Sequence, residues 1–403
     1  MISQQDVAVG GDGFHYLGSA RLAGQGQWFE FPFSPGGPDA HHPPVWTVML
    51  SSVAVAGANA PLPYQLFAAM IGASTIALVG AAGRKIVDER VGLIVAALAA
   101  VYPGLWRYER ELLSEVVLMP LVALVLLFAY RYRDRPSLAN AILLSAVCSV
   151  LALARAEQLA LFVLLVLPLV LATRVVSWTR RFMWLTACAG TGLVLMAPWA
   201  AFNAARFKEP SLLSTGTGST MLAGACDATY SGDLMGHFDT LHCIQPHYGP
   251  LASLDRSEFD LETRELALNY TLDHLDRLPA VILAREGRTF GVYRPFQEVR
   301  LGSRWSGTAA WVGYVWTLAY WVLLPFAVAG GVILRRRRVP LYPLLVEFAI
   351  VLISAAITFG LIRYRAAAEV PFLILSAVAI DSLARIRASG FAAEMTRLDR
   401  TEK

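Results

Sequence analysis

Residues 307–334 read GTAAWVGYVWTLAYWVLLPFAVAGGVIL and are followed at once by Arg335-Arg336-Arg337-Arg338. A helix rising about 1.5 Å per residue needs roughly 20 apolar residues to cross ~30 Å of hydrocarbon, and this run exceeds that without one charge. Outward from it, uncharged stretches recur at 61–83, 136–154 and 182–205. The composition agrees, at 56% hydrophobic and 16% charged over 403 residues, against roughly 45–50% and 25% in an average soluble chain. Mean hydropathy is +0.52. These numbers exclude a soluble enzyme, a disulfide mini-protein and a disordered chain, and a porin-like barrel lacks such continuous runs. The chain reads as an all-α polytopic membrane protein. Its net charge of +4 points to no nucleic-acid partner, because the basic residues sit where topology wants them.

Those basic residues set the orientation. Clusters fall at Arg84-Lys85-Arg90, Arg131-Arg133-Arg135, Arg174-Arg180-Arg181, Arg335 to Arg338 and Arg385-Arg387, and the positive-inside rule puts them in the cytoplasm. Nine spans follow, at about 64–83, 91–106, 112–130, 136–154, 158–173, 182–198, 308–334, 339–360 and 368–384. The expected organisation is an external N-terminal segment (1–60), a six-span region (61–198), an external loop (199–306), a three-span region (307–384) and a cytoplasmic tail (385–403). Residues 1–44 carry Arg21 against Asp6, Asp12, Glu30 and Asp39, which suits an external segment. No hydrophobic span precedes them in the sequence, so an upstream helix is expected to be missing from it. The apolar 45–58 stretch is short and rich in small residues and reads as a helix in the outer interface.

The loop at 199–306 holds thirteen acids and ten bases, a soluble composition. Two of the four cysteines, Cys226 and Cys243, lie in it, while Cys148 and Cys188 fall inside expected spans. Two cysteines in one external loop, with sixteen residues between them, read as a disulfide that restrains the unfolded loop by about 3 kcal/mol. The alternative is two buried thiols.

Polar residues concentrate on the outer side. The N-terminal segment contains Gly11-Asp12-Gly13 and His41-His42-Pro43-Pro44, and the short outer turns contain Tyr108-Glu109-Arg110-Glu111, Ser114-Glu115, Arg155-Ala156-Glu157 and Arg363-Tyr364-Arg365 with Glu369. Ionisable groups at a membrane edge cost free energy unless paired or used. Two readings stand side by side: a lattice of Arg–Glu pairs fastening helix ends, or a pocket for an anionic lipid headgroup, since guanidinium forks match phosphate oxygens. Asp12 between glycines is by itself a turn residue or a catalytic one. His237, His242 and His247 fit no trusted metal spacing. The GxxxxGK[ST] phosphate loop is absent, which argues against an ATP-driven machine.

Taken in order, Gly11-Asp12-Gly13-x-x-Tyr16, His42-Pro43-Pro44, Tyr108-x-Arg110-x-x-x-Ser114-Glu115, Ala154-Arg155-Ala156-Glu157 and Arg363-Tyr364-Arg365-x-x-x-Glu369 resemble the GT-C glycosyltransferases. More narrowly they are similar to bacterial relatives of the protein O-mannosyltransferases and the aminoarabinose lipid A transferase. The resemblance implies a GT-C-like helical bundle and a hexosyl- or pentosyltransferase of the plasma (inner) membrane. It implies a polyprenyl-phosphate-linked sugar as donor and an extracytoplasmic acceptor, a cell-envelope glycan, lipid or protein, on the side where the active site lies. Asp12 then matches the family's acidic residue, as base or acceptor-orienting group, and His42 the position facing the lipid phosphate. Arg110, Glu115, Arg155, Arg363 and Arg365 become substrate-binding candidates. No second carboxylate adjoins Asp12, so a divalent metal is compatible with the pattern but not implied by it. Two rival functions are a flippase or transporter of lipid-linked sugar, whose ionisable residues would sit near mid-membrane between broken helices, and a non-catalytic assembly protein.

Overall fold

The computed structural model describes residues 9–251 and 253–401, with only the backbone of 388–401. The first eight residues of the expected external segment and the last two of the expected tail lie outside the described residues. Apart from one isolated bridge between Glu30 and Pro38, regular structure among the described residues is helical. The chain opens with α1 (Asp12–Gly24) and α2 (Pro44–Val55), which pack on each other, followed by α3 (Pro61–Ile86), α4 (Glu89–Val101), α5 (Pro103–Glu111), α6 (Glu115–Asp134) and α7 (Leu138–Ala152). Local chemistry sets many of these boundaries. Prolines open α2, α3 and α5, where their missing N–H has no helical partner to lose. Asp88 caps α4 by accepting the Val91 N–H at 3.0 Å, and Ser137 caps α7 through the Asn140 N–H at 3.2 Å.

Among the described residues, five helices are long and apolar enough to cross a membrane: α3, α6, and those at Trp178–Ala204, Ala310–Arg336 and Ile362–Arg387. The pair α4 and α5, bent by 45°, meets the same length and apolarity only when the two are taken together. The bend falls at Tyr102, whose successor Pro103 pushes it out of helical geometry, so the expected 91–106 span is broken rather than straight. The three other expected spans correspond to shorter apolar helices, Leu138–Ala152, Ala156–Leu171 and Tyr342–Ile357. The middle one of these is irregular, with 3₁₀ and π turns before Pro168. Large apolar side chains cover the outside as well as the core: Met70 is 67% exposed, Val194 71% and Val328 63%. Apolar surface on that scale is what lipid covers in a multi-pass membrane protein.

Residues 205–309 form a second small core on Leu222, Tyr230, Phe259, Ala267 and Val281. The Arg256–Asp273 helix starts with a reciprocal cap between Asp255 and Glu258. Buried Arg285 ties this region to the membrane helices, donating to the carbonyls of Gly224 at 2.7 Å and Ala356 at 2.6 Å. Cys226 and Cys243 form a disulfide with their Cα atoms 5.3 Å apart, while Cys148 and Cys188 are buried free thiols. Mass spectrometry of a non-reduced digest should recover a peptide joining Cys226 to Cys243. Free alkylation of both without reductant would contradict that link.

Candidate active site

Two glycines fix Asp12. Gly11 has φ +54°, the left-handed region that favours glycine, and the Trp305 indole lies where a side chain would go. A Cβ on Gly13 would collide with the carbonyl of Glu111, so α1 lies directly against the end of α5. That end is itself sharply turned. Leu112 is left-handed at φ 53°, a conformation costing a non-glycine residue about 1 kcal/mol or more, and the Trp46 indole N–H holds its carbonyl at 2.8 Å. The turn places Ser114 and Glu115 at the start of α6, beside Asp12's helix.

Around this junction the side chains form one ionic chain. Arg363 joins Asp12 Oδ2 through Nη1 at 2.8 Å and Glu115 Oε1 through Nε at 2.5 Å. Arg155 reaches the same Glu115 oxygen at 3.1 Å and Glu157 at 2.8 Å. Glu115 is fully buried, and its second oxygen has no partner among the described residues. Burial alone would raise the Asp12 pKa, but the Arg363 guanidinium outweighs it and holds the carboxyl well below the usual range. Asp12 is therefore an anion at neutral pH, with its side chain about one-third open.

The ionic chain lines a cavity of about 1040 Å³, large for a ligand pocket. On the same cavity wall three histidines meet. His42 stacks on Tyr16 at 4.6 Å, with His15 and His41 at 5.0 and 4.7 Å from it. His15 Nε2 pairs with Asp39 at 2.7 Å. Burial, with His15 adding, pushes His41 down to about 4, and burial with His41 puts His42 well below its ordinary value. Both rings are neutral at pH 7. Among the described residues no three His, Cys, Asp or Glu side chains come together as metal ligands.

Of the residues singled out from the sequence, Asp12, His42, Glu115, Arg155 and Arg363 share the cavity wall. Arg110 and Arg365 do not. Arg110 lies on the exposed face of α5, and the inward position is taken by Arg107, paired with Glu111 at 2.9 Å and stacked 4.9 Å over Trp316. Arg365 is 1% exposed, bound to Glu369 at 2.7 Å and lying 3.6 Å over Tyr320. Glu369 also accepts from Tyr102 at 2.7 Å and Trp316 at 3.2 Å, so this pair fastens helices. Arg365 is closed within its fastening pair, whereas Arg155 and Arg363 are both paired with carboxylates and on the cavity wall. Sequence reasoning passed over His15, Asp39, Arg107 and Glu111. The signals were present, with His15 one helical turn after Asp12 and Arg107 four residues before Glu111.

Neither a protein-family model nor a curated protein matches the chain. Solved structures do. The Archaeoglobus fulgidus oligosaccharyltransferase in the apo form superposes with a TM-score of 0.52 at 13% identity, covering 96% of this chain and 48% of its own. The same archaeal enzyme, AglB, in complex with an inhibitory peptide and a dolichol-phosphate, gives 0.50 at 13% identity, covering 95% and 48%. ArnT from Cupriavidus metallidurans bound to undecaprenyl phosphate aligns at 14% identity over 94% of this chain and 74% of its own, with a TM-score of 0.45. The chain spans about half the length of the oligosaccharyltransferase it matches. At these identities the likeness is one of fold: the chain shares the fold of the archaeal oligosaccharyltransferase.

Proposed function

We propose that this chain is a membrane glycosyltransferase that moves a sugar from a polyprenyl-phosphate carrier to an extracytoplasmic acceptor hydroxyl, with inversion at the sugar. One observation carries the reading: an ionised Asp12 clamped by Arg363 on the wall of a large cavity, beside a second arginine. Arg363 uses Nε and Nη1, and Arg155 likewise, so the Nη2 of each has no protein acceptor among the described residues. Two such groups suit a donor phosphate. A phosphate drawing on Arg363 weakens its hold on Asp12 and raises the basicity of that carboxylate. Donor binding thereby prepares the base.

Asp12 then takes the proton of the acceptor hydroxyl as the oxygen attacks the anomeric carbon. The bond from that carbon to the phosphate oxygen breaks, and polyprenyl phosphate leaves with the electron pair, stabilised by fixed guanidinium groups. The ionisable residues of the site gather at helix ends and the turns beside them rather than in the middle of a long apolar helix, which favours transfer over flipping. The test is purified protein with radiolabelled polyprenyl-phosphate sugar and a cell-envelope acceptor fraction. A transferase releases free polyprenyl phosphate as label enters the acceptor; label that only changes leaflet in vesicles would establish the flippase instead.

The reading also fixes a topology in the plasma (inner) membrane. Residues 1–60 and 199–306 face outside, and the turns at Arg84, Arg131, Arg180 and Arg335 face the cytoplasm. An impermeant maleimide on intact cells should label Ser253→Cys and leave Ser137→Cys unlabelled. The reverse pattern would put the cavity on the wrong side for an extracytoplasmic acceptor.

A further inference from the structure

The arginines of the cavity wall divide into two sets. Arg107, Arg155 and Arg363 are each closed by carboxylates, from Glu111, from Glu115 with Glu157, and from Asp12 with Glu115. Arg256, contributed by the long loop, has no carboxylate within 4 Å among the described residues; its guanidinium lies 3.6 Å over the Phe31 ring. Asp39, the acid whose charge reaches it, is already committed to His15 at 2.7 Å and to the His41 N–H at 3.0 Å. Arg304, also on the wall without a carboxylate partner among the described residues, is exposed to solvent. A cation partly removed from water and stacked on an aromatic face is costly until an anion joins it.

Two buried polar atoms on the same wall are also without partners: Thr215 Oγ1, on a residue 4% exposed, and His42 Nε2. The backbone draws them together. Thr215 N–H donates to the Ala40 carbonyl at 2.8 Å, and the Ser214 hydroxyl donates to the His41 carbonyl at 2.5 Å, so the Ser/Thr-rich strap lies across the histidine segment. Arg256 is near enough to His41 for its charge to disfavour that ring's protonation.

We infer that Arg256, Thr215 and His42 form a second anion subsite in the same cavity, on the side of the Ser/Thr-rich strap, that takes a phosphate group. The guanidinium fork, the hydroxyl and a neutral imidazole N–H supply donors to several oxygens of one tetrahedral anion. The inference rests on the glycosyltransferase reading for its two sources: the second phosphate of a diphosphate-linked donor, or a phosphate carried by the acceptor. It adds that one of the two substrates presents an anion beyond the single phosphate at Arg155 and Arg363.

The experiment is calorimetric binding to the purified full chain, wild type against Arg256→Gln and Arg256→Lys, each checked for monodispersity. The probes are polyprenyl phosphate, polyprenyl diphosphate, and N-acetylglucosamine 1-phosphate added at saturating polyprenyl phosphate. In Arg256→Gln, polyprenyl phosphate affinity should stay within about twofold, whereas one of the other probes weakens by about tenfold or more. Arg256→Lys should recover much of that loss. Loss confined to the diphosphate assigns the subsite to the donor, and loss confined to the sugar phosphate assigns it to the acceptor. Unchanged affinity for all three probes, or an equal loss for all three in a variant as monodisperse as wild type, overturns the subsite. Should Arg256→Gln fail to fold, Thr215→Val carries the same comparison. These are binding measurements, so absence of sugar transfer with any donor would defeat the enzymatic reading while leaving them intact.

Discussion

Asp12→Asn should lower sugar transfer by about 10²–10⁴-fold while leaving the cavity standing. Asparagine has the size of aspartate, and its Oδ1 can still accept from Arg363 Nη1, now 2.8 Å from Asp12 Oδ2. What it cannot do is take up a proton as the acceptor oxygen attacks. The substitution also removes a negative charge close to where the donor phosphate is proposed to lie. Polyprenyl phosphate should therefore bind as well as to wild type, or more tightly, and the loss should appear in kcat. That pairing separates the two roles a carboxylate can have here. A carboxylate that only fastens α1 to Arg363 would give a less stable protein whose turnover falls with the folded fraction. The measurement is single-turnover transfer and donor titration on protein matched for yield and thermal midpoint. Near-normal turnover in a well-folded variant would return Asp12 to the part of a turn residue between two glycines and would remove the base from the mechanism.

The helices were legible because hydrocarbon imposes one simple requirement, a long run without charge, and the runs around 61–83, 182–205 and 307–334 meet it openly. The bent pair at Tyr102 and the irregular helix ending at Leu171 were less legible, since a proline after one residue or inside a short apolar run is compatible with several geometries. In the site, motif residues were found where backbone position alone decides. Asp12 is held by the special conformation of Gly11 and the close packing of Gly13, both visible as glycine in the sequence. Helical phase was not visible. Arg107 and Arg110 sit on different faces of α5, and Arg363 and Arg365, two residues apart in a 3₁₀ turn, point to different neighbours. Composition treats each pair as equivalent. Arg256 was hidden for another reason: it comes from a loop of soluble character and reaches the cavity only through long-range packing.

Removing Arg363 should do more damage than removing any other charge of the junction. Its guanidinium, 19% exposed, bridges a carboxylate from α1 and one from the start of α6, and thus joins the N-terminal segment to the apolar helices. In Arg363→Met, Asp12 loses its counter-ion and Glu115 keeps only Arg155, at 3.1 Å. Breaking a fully buried ion pair from one side costs about 3–5 kcal/mol, and the loss here should fall below that because Asp12 is about one-third open and Glu115 keeps Arg155. The unpaired Asp12 should respond by becoming more basic, as burial, no longer opposed by Arg363, acts on it. Stability, donor binding and turnover should then fall together, unlike the selective loss in Asp12→Asn. Arg363→Lys gives the sharper discrimination. It restores the charge, but a single ammonium cannot present two N–H groups in the fixed directions that the two carboxylates require. Lysine should therefore recover much of the thermal midpoint and little of the transfer rate. The decisive comparison is the shift in thermal midpoint on adding polyprenyl phosphate, read for wild type, Arg363→Lys and Arg363→Met. If Arg363→Met melts with wild type and is stabilised equally by the lipid, then Arg363 neither binds the phosphate nor fastens the junction, and Arg155 alone would have to carry both tasks.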